Sequence, residues 1–390
     1  MIKKIPLSEV KMGMCLADNV YTKSGREIFR EGFYFTSRNQ IIELMDYDIP
    51  EVAVDMHRSL IDNQTPQEKE RQKNITKKHF EEPDKLFSKI KENIQETKEV
   101  FDTGDTIAED MMKTAREKKP IDTQKVKTQA KNILNSIQKD YIAALAMLEL
   151  REQSEYLYSH CVNVATMCVL FANYLKFTKE KQFALCQGAF WHDIGKAKIS
   201  LPLVNNLNKL AEHEAKALQK HTVFGLDILT QNNITDDMIE EIVLYHHQNY
   251  DGSGYPPRFP GSYLRRYAAI VAIANQYDNL IQANKLHPTE AVSKIFSMSE
   301  TAFDPRVVGY FIKVVGVYPI GSLVELSNGV IAMIVAFTQE NLLEPIVKTL
   351  YHKDPEIKVK EEILSLIDNE ICIVAAHTDA QVKKQNVFGV

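Results

Sequence analysis

Residues 246–256 read His246-His247-Gln248-Asn249-Tyr250-Asp251-Gly252-Ser253-Gly254-Tyr255-Pro256. The two adjacent histidines close an apolar helical pattern over residues 239–243. Gly252 and Gly254 free the backbone of the loop that follows, and Pro256 fixes its exit. Because neutral imidazole is the commonest metal ligand in proteins, the pair could reach one ion or two neighbouring ions at the end of this helix, although one such pair proves little.

Other histidines upstream are placed to complete such a site. The stretch 191–196 reads Trp-His-Asp-Ile-Gly-Lys and puts a carboxylate directly after His192. His160 is followed by apolar residues at steps of four, three and four, which indicates a buried helix face. His221 begins another buried face, on which Gly225 would let a neighbouring helix approach closely. A lone buried histidine is usually a core residue, so the set carries the prediction rather than any one member.

These motifs resemble those of the HD-GYP family, a branch of the HD metal-dependent phosphohydrolases named for a His-Asp pair and a Gly-Tyr-Pro triplet. Both signatures are present, as His192-Asp193 and Gly254-Tyr255-Pro256. The order His, His-Asp-x-Gly-Lys, His-x-x-x-Gly, His-His and Asp-Gly-x-Gly-Tyr-Pro is kept. The resemblance runs from about residue 140 to residue 322.

The resemblance implies a two-metal site with one bridging carboxylate. The ligands that it implies are His160, His192, Asp193, His221, His246, His247 and Asn275. Asp193 would bridge the ions, with His160 and His192 on one ion and the other three histidines on the second. Lys196 would offer its ammonium to a non-bridging phosphate oxygen, which makes Asp193 and Lys196 the predicted catalytic residues. Two cations about 3.5–4 Å apart suit phosphodiester hydrolysis because they supply hydroxide at neutral pH and clamp an in-line transition state.

The types of ligand atom also indicate which metal the site binds. Mixed imidazole and carboxylate ligation suits iron, manganese or zinc better than magnesium. The resemblance favours two divalent ions, iron or manganese. A third ion occurs in some family members through a Glu one turn before the first histidine, and here that position is Tyr156.

The loop after the paired histidines matches the family in its sequence. In the family this loop is linked to the shape of the substrate pocket and to partner contact. The matching residues here are Asp251, Gly252, Gly254, Tyr255 and Pro256. A tight turn held by packing of Tyr255 is an equally good interpretation.

The chain departs from the family pattern at three places. The usual Ala-Asp-x-Tyr-Asp segment reads Ala-Asn-Gln-Tyr-Asp, so a neutral Asn275 stands where a carboxylate is expected, while Asp278 is ordinarily present as well. Gln248 replaces a Glu after the paired histidines. The basic stretch that contacts the cyclic dinucleotide is shortened, with Lys285 alone between residues 281 and 289.

Composition narrows the class of protein. The chain has 390 residues, of which 44% are hydrophobic and 25% charged, as in ordinary globular domains. A net charge of -5 argues against binding a nucleic-acid polymer or a membrane surface. The five cysteines include no Cys-x-x-Cys pair and predict reduced thiols. With no signal-peptide core at the start, the chain is expected to be cytoplasmic.

The predicted architecture is multidomain and mainly α. A small N-terminal α/β domain (1–57) precedes an exposed, charged helical connector (58–130), which could pair with a second copy in a homodimer. The HD-type helical bundle (131–318) and a C-terminal β extension (319–390) follow. Turns at residues 23–26 and 327–329 predict hairpins, and residues 37–40 resemble a capping box that opens a helix.

Three functions fit these features. The favoured one is a metal-dependent phosphodiesterase that linearises cyclic di-GMP or a related cyclic dinucleotide in bacterial signalling. The second is a weakened or inactive signalling module that binds a nucleotide or a protein through the Gly-Tyr-Pro loop. The third is an HD hydrolase of another phosphate ester. The six intact metal-binding positions and Lys196 favour the enzyme.

Overall fold

The fold is described from a computed structural model of the chain. The residues that it describes are 2–10, 14–23, 25–30, 33, 35, 44, 47, 49–55, 82–151, 156–205, 210–257, 266–337, 342–367, 369–379 and 382–389. They form two compact units, one of Met1–Ile90 with Val315–Val387 and one of Lys91–Val314 with Phe388–Val390. The four-part domain division expected from the sequence stays a prediction.

Helices make up most of the described chain. They are α1 Pro83–Arg116, α2 Thr123–Lys139, α3 Tyr141–Leu150, α4 Tyr156–Tyr174, α5 Lys179–Trp191, α6 Leu201–Asn205, α7 Glu212–Gln219, α8 His221–Gln231, α9 Asp237–Tyr245, α10 Arg266–Asp278, α11 Pro288–Ser297, α12 Pro305–Val315 and α13 Lys384–Phe388. Short 3-10 helices cover Leu7–Glu9 and Ile194–Lys198, and a π-helical turn, Asn279–Ala283, continues α10.

The strands lie in the first unit, at the two ends of the chain. They are β1 Ile2–Pro6, β2 Val20–Tyr21, β3 Glu27–Phe29, β4 Glu51–Asp55, β5 Leu323–Leu326, β6 Val330–Ala336, β7 Ile346–His352, β8 Ile363–Ser365 and β9 Ile373–His377. β1 pairs with β4, and β2 with β3, both antiparallel. The other five form one antiparallel sheet in the order β8-β7-β6-β5-β9. The strands predicted at the N-terminal and C-terminal ends of the chain are confirmed.

Both predicted hairpin turns are present. Gly25 lies between β2 and β3 at a φ of 82°, and Gly329 lies between β5 and β6 at a φ of 80°. Glycine adopts this left-handed backbone without the steric cost that a side chain would impose. The helix predicted after residues 37–40 lies outside the described residues, except for Leu44.

The second unit is built around an almost wholly apolar helix. α4 is buried continuously from residue 159 to residue 172 and packs against α5 and α10. α9 packs against both α5 and α10, and α8 packs against the 3-10 helix Ile194–Lys198 and α9. A helix that is buried on all sides fixes the directions of its neighbours. This all-α bundle, confirmed as predicted, places the ends of α5, α8 and α9 near one face of α4.

The helix α1 corrects one expectation. Its residues Phe87, Ile90 and Ile94 are 8%, 1% and 0% exposed, so the connector is not an exposed helix along this face. Side chains of α1 hydrogen-bond to α2, for example Asn93 Nδ2 to Asp140 Oδ2 at the end of α2, over 2.8 Å. The helical spacing of these three residues is visible in the sequence, but the charge-rich composition led to the expectation of an exposed helix. One apolar residue per turn is enough to bury one side of a helix.

The remaining global expectations concern cysteines and membrane spans. All five cysteines are free thiols, as predicted, and Cys15, Cys161, Cys168 and Cys186 are buried. Within the described part of the chain, every helix is too short or too polar to span a lipid bilayer.

Candidate metal centre

Residues from five separate elements form one buried cluster. His160 lies on α4, His192 and Asp193 follow α5, His221 begins α8, His246 and His247 follow α9, and Asn275 lies on α10. Each of these side chains except that of His247 is at most 6% exposed. Residues far apart in sequence therefore meet because the helix ends converge.

The carboxylate of Asp193 lies in the middle of the cluster. Its Oδ2 is 3.4 Å from Nε2 of His192 and 3.8 Å from Nε2 of His160. Its Oδ1 is 3.4 Å from Nε2 of His221 and 3.8 Å from Nε2 of His246. The potential ligand atoms fall into two groups that share Asp193, and His247 belongs to the second. One oxygen thus faces each group, which is the arrangement that a bridging carboxylate needs.

Backbone hydrogen bonds set the tautomer of these histidines. The acceptors of the Nδ1 protons are the carbonyls of Ala189 for His192 at 2.6 Å, Leu218 for His221 at 2.8 Å and Ile242 for His246 at 3.0 Å. A neutral imidazole that donates through Nδ1 carries its lone pair on Nε2. The backbone therefore orients three lone pairs toward the Asp193 carboxylate, as the outer hydrogen bonds of metal-binding histidines do.

The donor set fits a divalent metal. Burial lowers the pKa of His221 to about 4 and lowers the pKa values of His246 and His247, so all three are neutral near pH 7. The facing Nε2 atoms of His221 and His246 are 3.2 Å apart. Two lone pairs at this distance repel each other unless a cation or a proton lies between them. Nε2 of His192 and Oδ1 of Asp193 are also buried without a hydrogen-bond partner.

The charge of the cluster is set by Asp193 and Lys196. Burial alone would raise the pKa of the Asp193 carboxyl, but the Lys196 ammonium and the neighbouring imidazoles hold it well below its usual range. Nζ of Lys196 is 2.5 Å from Oδ2 of Asp193, and its side chain is 13% exposed. Asp193 is therefore an anion, which a bridging ligand must be, and the ammonium lies directly against the cluster.

The environment of His160 differs because it contains an amide. Its Nδ1 lies 2.6 Å from Oδ2 of Asp278 and donates to it, so the tautomer that could bind a metal has its lone pair on Nε2. That Nε2 lies 2.9 Å from Oδ1 of Asn275, and the same oxygen accepts from Nδ2 of Asn279 at 3.0 Å. Two acceptors facing each other at this distance suit neighbouring ligands of one cation. Asn275 can bind such an ion, but without charge.

Restoring the carboxylate at this position is expected to strengthen metal binding. Asn275→Asp should bind Mn²⁺ on the order of tenfold more tightly at one site, because a charged oxygen attracts a dication more strongly than an amide oxygen does. A Mn²⁺ titration of the parent and the variant measures the change. Melting temperatures with and without Mn²⁺ should show a larger metal-induced rise in the variant.

The matched control for this substitution is Gln276→Glu. It adds the same charge at the neighbouring, partly exposed position on α10 and should leave Mn²⁺ affinity unchanged. If Asn275→Asp lowers stability both with and without metal, and binds no more of it, Asn275 is a core hydrogen-bonding residue and not a ligand.

The loop of residues 251–256 packs against the paired histidines. The Tyr255 ring stacks on His247 with centroids 4.6 Å apart, and its backbone N–H donates to the carbonyl of His247 over 3.1 Å. A Cβ on Gly254 would lie 2.2 Å from that same oxygen, so only glycine fits. Asp251 and Gly252 are exposed, and Asp251 accepts from the N–H of Ser253. The packing of Tyr255 gives the loop a structural role, while substrate contact stays a prediction.

Two residues support the site in roles that were not predicted from the sequence, although Asp278 was noted there as part of the family segment. Asp278 accepts the Nδ1 proton of His160, and Asn163 donates to the other oxygen of Asp278 over 2.7 Å. Asn163 lies one turn after His160 on an otherwise apolar helix. An amide side chain one turn after His160, on a helix predicted to be buried, was the feature of the sequence that could have identified Asn163.

Comparison with known proteins agrees with this site. A family model described as "HD domain" matches residues 127–307, and one described as "Domain of unknown function (DUF3391)" matches residues 2–126. A cyclic di-GMP phosphodiesterase of Pseudomonas aeruginosa is 23% identical over 94% of this chain and 89% of its own length. One of Thermotoga maritima is 33% identical over 35% of this chain and 38% of its own length.

Two further proteins are also similar to this chain. A 3'3'-cGAMP-specific phosphodiesterase of Vibrio cholerae is 28% identical over 40% of this chain and 36% of its own length. Among solved structures, an HD-GYP-type protein of Bdellovibrio bacteriovorus is 18% identical and has a TM-score of 0.48, with 80% of this chain and 98% of that chain covered.

The helical bundle and its buried histidine-aspartate cluster define an HD-domain protein with a divalent-metal site. Its His192-Asp193 and Gly254-Tyr255-Pro256 motifs lie at and beside that cluster. Residues 127–307 match the HD-domain family, and these two motifs are the ones that the chain shares with its HD-GYP branch.

Proposed function

We propose that this chain is a metal-dependent phosphodiesterase that opens cyclic di-GMP, or a related cyclic dinucleotide, to a linear product. The observation that carries the proposal is the Asp193 carboxylate, which has one oxygen toward each of two histidine groups and the Lys196 ammonium against it. The names of the relatives, which are phosphodiesterases of cyclic di-GMP or cGAMP, support the substrate class.

The residues divide between two proposed ions. His160, His192 and Asn275 would hold one, and His221, His246 and His247 would hold the other, with Asp193 between them. When bound, two such cations supply a nucleophilic hydroxide at neutral pH and offset the charge of the transition state. Four of the histidines, His160, His192, His221 and His246, direct Nε2 toward the cluster because Nδ1 donates to a carboxylate or a backbone carbonyl, and burial keeps bulk water from competing for these four groups.

Lys196 has a separate proposed role. It lies next to Asp193, yet it is the most exposed of the charged groups in the cluster, so its ammonium can reach a ligand that approaches from outside. A phosphodiester carries one negative charge on its non-bridging oxygens, and that charge grows during the displacement. The ammonium would therefore bind the phosphate more strongly in the transition state than in the ground state.

Further proposals concern the resident metal, the cellular location and the partners. Imidazole-rich ligation with a carboxylate supports iron or manganese over magnesium as the resident metal. A cyclic dinucleotide messenger would place the enzyme in the cytoplasm. Contact with a signalling protein through the exposed Asp251 and Gly252, and pairing into a homodimer, remain proposals.

Loss of the Lys196 ammonium is expected to slow turnover without removing metal. Lys196→Ala should lower kcat for cyclic di-GMP on the order of 100-fold, the usual loss when one transition-state donor is removed. Initial rates with Mn²⁺ supplied measure this, with metal content determined in parallel. Lys198→Ala is the matched control, because Lys198 lies on the same 3-10 helix but pairs with Asp227.

A second function would be indicated by a different outcome. Asn275 supplies a neutral amide beside His160 where the family pattern has a carboxylate. This difference favours a weakened enzyme or a module that binds without cleaving. If cyclic di-GMP binds to metal-loaded protein and is not cleaved, and Lys196→Ala changes only the affinity, the binding module is correct and the enzyme proposal fails.

A further inference from the structure

A line of buried polar side chains leads from His160 away from the metal centre. Nδ1 of His160 donates to Oδ2 of Asp278 over 2.6 Å, and Nδ2 of Asn163 donates to Oδ1 of the same carboxylate over 2.7 Å. Oδ1 of Asn163 in turn accepts from Nη1 of Arg151 over 3.3 Å. His160, Asn163 and Asp278 are 2%, 1% and 7% exposed. Thus the Asp278 carboxylate orients His160, the Asn163 amide holds that carboxylate, and Arg151 holds the amide.

Arg151 is anchored on its other side by helix α1. Its Nη2 forms an ion pair with Oδ2 of Asp105, and its guanidinium carbon lies 5.1 Å from the centroid of the Phe101 ring. The Arg151 side chain is only 7% exposed, while that of Asp105 is 31% exposed. Burial of an arginine is costly unless its donors are used, and here they are divided between Asp105 and Asn163. The guanidinium therefore has a fixed position set by α1.

The direction of every hydrogen bond in this line is determined. Arginine can only donate, so Asn163 must present its oxygen to Arg151 and its NH₂ group to Asp278. Both ends of the amide are occupied, which excludes the flipped orientation. Without Arg151, the buried Oδ1 of Asn163 would lose this donor. The amide could then rotate, and Asp278 would lose the partner that fixes its plane.

We infer that Arg151, anchored by Asp105, is a positioning residue that sets the orientation of His160 as a metal ligand through Asn163 and Asp278. The inference rests on the proposed metal-dependent function, because it concerns the site that would bind the ion between His160 and Asn275. Since Asn275 brings no charge, binding of this ion depends more strongly on the orientation of the His160 imidazole than it would with a carboxylate at position 275. A purely structural role for Arg151 would change the stability of the fold and leave metal affinity alone.

Metal affinity separates the two roles. Arg151→Met keeps the apolar stem and removes every donor. It is expected to weaken Mn²⁺ binding at one of the two sites by about 10- to 100-fold, the usual effect of losing an outer hydrogen-bond partner of a ligand. Binding at the other site should not change. Free Mn²⁺ measured by electron paramagnetic resonance during a titration reports both sites without any need for turnover.

Conservative and matched variants sharpen the test. Arg151→Lys keeps the charge toward Asp105 but lacks the forked donors, so it should recover part of the lost affinity. Asp105→Asn removes the anchor at a partly exposed position and should weaken the same site severalfold. Asp110→Asn is the control, because Asp110 lies on α1 and pairs with Lys125 at 2.8 Å, away from this line. It should leave both affinities as in the parent.

The outcomes are distinct. A parent that binds no divalent metal contradicts the proposed function together with this inference. A parent that binds two Mn²⁺ ions, with Arg151→Met lowering only the melting temperature, overturns the inference alone. If Arg151→Met does not fold, Asp105→Asn decides: weaker binding at one site supports the positioning role, and unchanged binding at both sites overturns it.

Discussion

Asp193→Asn is expected to remove both metal ions and to lower turnover of a cyclic dinucleotide by a factor on the order of 10³ or more. The substituted side chain keeps its shape but offers one oxygen, no negative charge and an NH₂ group that repels a cation. Since one Asp193 oxygen faces each histidine group, a single substitution affects both sites. Metal content by elemental analysis and initial rates with Mn²⁺ supplied measure the two losses.

Asp227→Asn is the control for this change. Asp227 also forms an ion pair with a lysine of the 3-10 helix, since its Oδ2 lies 3.3 Å from Nζ of Lys198, but it is exposed. Its variant should keep full metal content and a rate within about twofold of the parent. If Asp193→Asn retains more than half of the parent's metal, Asp193 does not bridge two ions.

Gly195→Ala is expected to destabilise the fold by about 3 kcal/mol or more and to lower the metal content. A Cβ at this position would lie 1.8 Å from the carbonyl oxygen of His221 and 2.5 Å from the backbone nitrogen of Gly225. Both are backbone atoms of α8, so the helix must move as a whole. Because α8 begins with His221, that movement would draw the histidine away from Asp193.

Denaturant unfolding of the metal-free protein measures the first effect, and a Mn²⁺ titration measures the second. Gly188→Ala is the control, since its added Cβ would meet the terminal methyl of Ile242, a side-chain end that can shift. It should cost about 1 kcal/mol or less. Gly195→Ala with the stability and metal content of the parent would contradict the close contact between the 3-10 helix and α8.

The sequence was sufficient to assemble the predicted ligand set but not the contacts that orient it. The spacing of His160 and His221 to apolar neighbours predicted buried helix faces, and the resemblance to the HD-GYP family supplied their assignment as ligands. The partner of His160, Asp278, lies 118 residues away on another helix, and no local pattern reports that distance. The role inferred for Arg151 depends on four contacts, which form only when α1, α4 and α10 are packed.

Two other features show the same limit. Stacking of Tyr255 on His247 depends on the path of the loop between them, which sequence spacing leaves open. The helical spacing of Ile90 and Ile94 is visible in the sequence, but the surrounding charges led to the expectation that α1 is exposed, since composition averages over all sides of a helix. Periodicity predicts which side of a helix is apolar, but the residues that pack against that side are determined by the tertiary structure.

The most direct test of the account is the conversion of cyclic di-GMP by the anaerobically purified parent, before and after its metal is removed by a chelator. We expect a linear product that ceases to form after chelation and returns when Mn²⁺ or Fe²⁺ is added. A protein loaded with two ions of either metal that cleaves neither cyclic di-GMP nor cGAMP would contradict it.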